Sequence, residues 1–141
     1  MSIPASDLAP LEGMPLTMLD LYRTSGVTDL KPLKGMPLDY LNLTGLPISD
    51  ISVLKGMTSL RMLVLEDMPL ADLTSLRGLK VESLAIKGTK VSNLSALKAL
   101  PLTDLAIDYR ADQGESLRSF KGLERINGKP AAQFWMEVGG K

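Results

Sequence analysis

The 141-residue chain contains no cysteine and no histidine. The first absence removes disulfides, thiolate nucleophiles and the commonest zinc sites. The second removes the usual general base and the usual partner of a serine nucleophile. Aromatic residues are scarce, at two Phe, one Trp and three Tyr. Charge of one sign is also lacking, because 16 Lys and Arg face 16 Asp and Glu. A balanced chain carries no overall basic footprint, so nucleic acid is not an expected partner. No apolar run reaches the roughly 18 residues of a membrane span. The opening Met1-Ser2-Ile3-Pro4 has neither a basic start nor an apolar stretch, so a signal peptide is not expected. The expectation is a soluble chain, with a cytoplasmic location favoured and no membrane partner.

Leucine is abundant instead, with 27 of the 141 residues, and it recurs with a period. Leu19, Leu41, Leu63, Leu84 and Leu105 follow one another at steps of 22, 22, 21 and 21 residues. Leu21, Leu43, Leu65, Ile86 and Ile107 repeat the same steps two residues later. Each unit reads LxxLxL, a short polar turn, and then a segment such as Ile51-Ser52-Val53-Leu54-Lys55-Gly56-Met57. The alternating core of each unit predicts a short strand near 17–22, 39–44, 61–66, 82–87 and 103–108. Return paths this long make the strands parallel, since antiparallel hairpins need only short loops.

The return path is punctuated. Asp29, Asp50, Asp72 and Asn93 stand where a helix N-cap is expected. Pro10 and Pro32 follow in the first turn, where a missing amide costs little. Lys34, Lys55, Arg77 and Lys98 close each turn, with Lys121 a fifth of the same kind, and Gly35, Gly56 and Gly78 stand at the exits. Cap and exit are so close that a single 3₁₀ turn is predicted rather than a full helix.

These motifs, over about residues 6–110, resemble those of leucine-rich-repeat proteins. Ile48-Ser49-Asp50-Ile51-Ser52-Val53-Leu54 is similar to the 21–22-residue bacterial internalin-type repeat. The resemblance implies an α/β fold: a right-handed solenoid with a curved parallel sheet of about five strands on its concave side and 3₁₀ turns on its convex side. It also implies protein–protein recognition. One departure stands out: the family's asparagine after the strand is replaced by Leu46, Met68 and Thr89.

The organisation expected is one leucine-rich-repeat domain over 1–141, with a partial repeat at 6–14, repeats at 15–110 and a helical cap at 111–141. Within the cap, Gln113–Gly122 reads as one helix carrying Leu117, Phe120 and Leu123, then Ile126–Pro130 as a turn. Ala131–Val138 reads as a second, amphipathic helix with Phe134 and Trp135. The tail resembles closing segments of bacterial repeat proteins, some of which follow a protein-kinase domain. At the other end nothing evident covers Leu16, Leu19 and Leu21. That points to a piece of a longer repeat protein, or to a homodimer formed through this uncapped end.

Catalytic motifs fail on inspection. Gly128-Lys129 lacks the glycine and hydroxyl residue of a phosphate loop, since Leu123 and Pro130 occupy those places. Asp104 and Asp108 would stand roughly 13 Å apart along a strand, too far for an acid–base pair. The basic row is accounted for by complementing turn ends, and the acidic row supplies one carboxylate per turn, too few for calcium. The expectation is no enzyme, no metal and no cofactor.

What remains is the outward face of the strands, read in columns. The first is Met18, Tyr40, Met62, Ser83 and Asp104; the second Asp20, Asn42, Val64, Ala85 and Ala106; the third Tyr22, Thr44, Glu66, Lys87 and Asp108. Met18, Tyr22, Tyr40, Met62 and Val64 gather on the first three strands as an apolar cluster of the kind interface cores use. Glu66, Lys87, Asp104 and Asp108 form the charged rim. The expected partner is a protein; the alternative is a structural spacer or a self-associating repeat segment.

Overall fold

A computed structural model describes residues 8–24, 26–110, 113–120 and 122–139. Asp7 and Lys121, which continue the turn pattern at either end, lie outside the described residues. Five three-residue strands stand where the leucine period puts them. They are β1 (Met18–Asp20), β2 (Tyr40–Asn42), β3 (Met62–Val64), β4 (Ser83–Ala85) and β5 (Asp104–Ala106), all parallel. Leu19, Leu41, Leu63, Leu84 and Leu105 pair across neighbouring strands and are at most 2% exposed. Opposite the sheet, each unit makes a 3₁₀ turn: Ala9–Leu11, Lys31–Leu33, Ser52–Leu54, Thr74–Leu76 and Ser95–Ala99. Leu33, Leu54, Leu76 and Leu97 point inward from these turns and close the core from behind.

The uneven period leaves the register intact because the surplus residue stays outside the strands. In the unit after β2, Met57 and Leu60 are joined by an i→i+3 turn in which the Leu60 N–H donates to Met57 O at 3.1 Å. In the unit before, also of 22 residues, the path from Met36 to Leu38 is shorter and closes with an i→i+2 bond of 2.8 Å, and the surplus lies between Leu21 and Leu30 instead. The extra Ser59 is held by its hydroxyl, which donates to Leu38 O at 2.7 Å. A slip of one residue would turn every leucine outward, so absorbing the surplus in the loop is the lower-energy solution.

The acidic positions do a different job from the one expected. The residue in the N-cap position is Leu30, Ile51, Leu73 or Leu94, and no side chain caps these turns. The oxygen of Asp29, Asp50, Asp72 or Asn93, one residue earlier, accepts the N–H two residues on at 2.8–2.9 Å. This is an Asx turn, and it follows from turn length: a three-residue 3₁₀ turn leaves the buried Leu or Ile in the cap position. At the exits Gly35, Gly56 and Gly78 adopt φ of +76°, +80° and +82°. The last unit has Ala99 there, and its turn runs on to five residues.

Both ends depart from expectation. Leu19 and Leu21 are fully buried and only Leu16 is partly exposed, so the open leucine layer expected at the first repeat is not present. The half-unit before β1 adds Leu8 and Leu11 to the same core. At the other end the sheet continues past five strands. Ile126 falls 21 residues after Leu105 and pairs with it in a sixth parallel strand, β6 (Arg125–Ile126). Asn127 and Gly128, at φ +54° and +80°, then make a two-residue hairpin turn into β7 (Lys129–Pro130), the one antiparallel strand of the seven described. The Asn127 side chain also accepts the Ile107 N–H at 2.8 Å, tying the hairpin to the preceding unit.

The expected helix over Gln113–Gly122 shrinks to α1 (Gly114–Arg118), with Phe120 and Leu123 packing on the core from beyond its end. The second helix forms as α2 (Ala131–Gly139) and packs on β6 and β7. Phe134, Trp135 and Tyr109 meet edge to face with ring centroids 5.1–6.0 Å apart, and the Arg118 guanidinium lies 4.1 Å from the Trp135 ring centre. The aromatic residues scarce elsewhere are thus spent closing this end.

Two expectations follow. Leu63→Ala should cost about 2–5 kcal/mol in urea denaturation by opening a cavity in the central layer, whereas Val64→Lys should cost little. The second concerns acid. The backbone amides of Ser52 and Thr74 hold the Asp50 and Asp72 carboxyls below the usual carboxylate range, helped by Lys55 and Arg77. Their stabilisation is therefore complete above the ordinary carboxylate pKa of about 3.9 and is lost as pH falls through the lower folded values. Between pH 6 and pH 3 the urea midpoint should fall less for Asp50→Asn/Asp72→Asn than for the unaltered chain, since asparagine keeps the turn as Asn93 does.

Candidate functional site

The strands carry the three outward columns in the expected register. Met18, Tyr40, Met62, Ser83 and Asp104 stand side by side, and Asp20, Asn42, Val64, Ala85 and Ala106 beside them. The third column continues the ladder past the strand ends: Arg23, Gly45 and Asp67 donate their N–H groups to the carbonyls of Thr44, Glu66 and Lys87 at 2.7–2.9 Å. Neighbouring strands are about 4.8 Å apart, so Met18 and Met62 are roughly 10 Å apart with Tyr40 between them.

Exposure separates these residues. Met18, Tyr22 and Met62 are 57%, 54% and 44% exposed, and Lys87 and Asp108 are also exposed. Tyr40, Val64, Glu66 and Asp104 are half-buried, so they form the floor of the face rather than its crest. Thr44 departs from the outward reading and is buried at 4% exposure. Its N–H donates to Asn42 Oδ1 at 3.0 Å, as the Tyr22 N–H does to Asp20 Oδ1 at 2.9 Å. Asp20 and Asn42 are thereby committed to ending their strands. Asp108 is likewise engaged, accepting the Gly88 N–H at 2.7 Å.

Two residues that sequence reasoning passed over hold the Tyr22 end in place. The position after the third column is left-handed in four successive units: Arg23, Gly45, Asp67 and Gly88, at φ +54°, +83°, +57° and +79°. Arg23 reaches across Gly45 to Asp67, with its guanidinium 2.8 Å from the carboxylate. The path is open because Gly45 has no side chain; a Cβ there would stand 3.1 Å from the Arg23 Cγ. Arg23 also sits 5.4 Å from the Tyr22 ring centre and donates to the Tyr22 hydroxyl at 3.3 Å. Tyr22 and then Asp67 hold the guanidinium more firmly protonated than an ordinary arginine. Alternation of Gly45 and Gly88 with Arg23 and Asp67 at unit spacing was the available signal. Arg125 is a third omission: it follows Asp104 by 21 residues, joins the first column and is exposed.

The charged rim is not self-neutralised. Glu66, Lys87, Asp104 and Arg125 make none of the ion pairs seen among the described residues. No group of three His, Cys, Asp or Glu able to hold a metal occurs among the described residues. No helix among them is long and apolar enough to cross a membrane.

Parallel strands on one face, 3₁₀ turns on the other and a 21–22-residue period define a leucine-rich-repeat solenoid with an open, curved sheet. Its structural neighbours are internalins, which are leucine-rich-repeat proteins. An internalin C2 from Listeria monocytogenes matches with a TM-score of 0.71 and 29% identity, over 79% of this chain and 50% of that one. An internalin (inlF) from the same organism is a looser likeness, with a TM-score of 0.48 and 22% identity over 71% and 37% of the two chains. The chain thus spans about half the length of the internalin C2 chain. No family model matches the chain, and a search of curated proteins gave no match.

Gly45→Ala should lower stability by about 1–2 kcal/mol, through the strain of a left-handed alanine. It should also loosen Tyr22 by pushing Arg23 off its path, seen as faster ring motion by NMR. Arg23→Ala should free Tyr22 in the same way while hardly moving the denaturation midpoint, because the Arg23–Asp67 pair is solvent-exposed.

Proposed function

We propose that the chain is a protein-recognition module that takes its partner on the concave sheet face. One observation carries this reading. Of the five large hydrophobic side chains exposed among the described residues, three (Met18, Tyr22 and Met62) lie together on that face. Tyr40 and Val64 fill the space between them as a half-buried apolar floor. Methionine and tyrosine in an exposed cluster bring large contact area and adaptable shape, which is what an interface core needs. Glu66, Lys87, Asp104 and Asp108 flank the cluster and would orient the partner and speed its approach. The internalin-type fold supports the same reading, since leucine-rich repeats of that kind serve protein interaction. No catalytic step and no cofactor enter it.

The test is capture from the source lysate by the unaltered chain, by Tyr22→Glu/Met62→Lys and by a convex-face control, Lys98→Glu. Both altered side chains of the double variant are exposed, so it should remain folded, which circular dichroism checks. The expected result is a protein held by the unaltered chain and the control, and bound on the order of thirtyfold more weakly by the double variant. Equal capture by all three would remove the concave face from the account and favour a spacer role.

A further inference from the structure

The convex side carries a feature that the repeat pattern does not require. Lys34 and Lys55 occupy the basic position at the end of their turns, as Arg77 and Lys98 do, and the carbonyl ends of the turns account for all four. Lys31 has no such account. The corresponding residues are Ala9, Ser52, Thr74 and Ser95, so the cation is peculiar to this unit. It is the first residue of its 3₁₀ turn, the end at which a positive charge is disfavoured.

Lys31, Lys34 and Lys55 together line one open depression of about 370 Å³, with Ser52 beside them and the half-buried Val53 in the wall. No carboxylate lines it. The nearest in sequence, Asp29 and Asp50, are turned to the backbone amides of Lys31 and Ser52 at 2.9 Å. None of the three lysines belongs to an ion pair seen among the described residues. Asp50 and Asp72 offset part of the Lys55 charge, but no carboxylate lines the recess itself, and the three ammonium groups around it favour an external anion.

We propose that this recess binds a small, multiply charged oxyanion, a phosphate or sulfate ester, held by the ammonium groups of Lys31, Lys34 and Lys55. The recess is on the opposite face from the proposed protein contact, so neither reading depends on the other. Lysine suits such a ligand because its flexible ammonium places a compact charge without demanding planar geometry.

The experiment is NMR titration of the full chain with inorganic pyrophosphate and, separately, with a sulfated heparin disaccharide. The chains compared are the unaltered protein, Lys31→Ala, Lys31→Gln and Lys98→Ala. Saturable shifts centred on the amides of Lys31, Ser52 and Lys55 are expected. The dissociation constant should rise about tenfold in either Lys31 variant and stay unchanged in Lys98→Ala. Whichever probe binds more tightly identifies the source of the ester. Non-saturable shifts with both probes, or equal weakening by Lys98→Ala, would overturn the proposal and leave the concave-face reading where it stands.

Discussion

Everything in this molecule depends on leucine side chains stacking between successive parallel strands. A three-residue strand buries almost nothing alone, and a single 3₁₀ turn is not a stable element. Stability therefore comes from the contact of one unit with the next, through Leu19, Leu41, Leu63, Leu84 and Leu105 in front and Leu33, Leu54, Leu76 and Leu97 behind. The register of the strands is the quantity that has to be protected. Steps of 22 and 21 residues coexist because the surplus stays outside the strands, between Leu21 and Leu30 in one unit and in the Met57–Leu60 turn of the next.

The same alternation that sends leucine inward decides what the solvent meets. Because side chains change face at every residue, Met18, Tyr40 and Met62 come to stand in one row as a direct consequence of burying the leucines next to them. The solenoid thus separates its tasks by parity. Inward positions are constrained by packing, whereas outward ones are free to vary, and here they collect methionine and tyrosine at one end and charge at the other. The Arg23–Asp67 bridge across Gly45 adds a fixed edge to the apolar end. A partner meeting that end would find Tyr22 already in position and would lose less entropy in ordering it.

The parts of the fold that were legible in the sequence are those with a period. Strand positions, parallel order, the outward columns and the 3₁₀ turns all follow from identical residues at unit spacing. What was missed lacked a period or depended on a single extra residue. Whether Asp50 caps its turn or precedes the cap is a one-residue matter of turn length, which spacing alone does not settle. Ile126 kept the 21-residue step, but with only one leucine-like residue in its short strand it read as a turn. Thr44 was assigned outward by parity and is buried instead, although its N–H bonds a side chain just as that of the exposed Tyr22 does. The covered Leu19 and Leu21 were beyond reach for a different reason: burial at the end of an array is a property of neighbours, not of the residue.

The most direct measurement uses the absence of native cysteine. Single cysteines placed at Met62, Leu63 and Val64 in turn would report, through the rate of reaction with a thiol reagent, which side chains the solvent reaches. The account predicts rapid labelling at 62, slower but measurable labelling at 64, and protection at 63 until the protein is unfolded. Labelling of 63 as fast as that of 62 would place the leucines outside, and both the core and the recognition face derived from this register would be wrong.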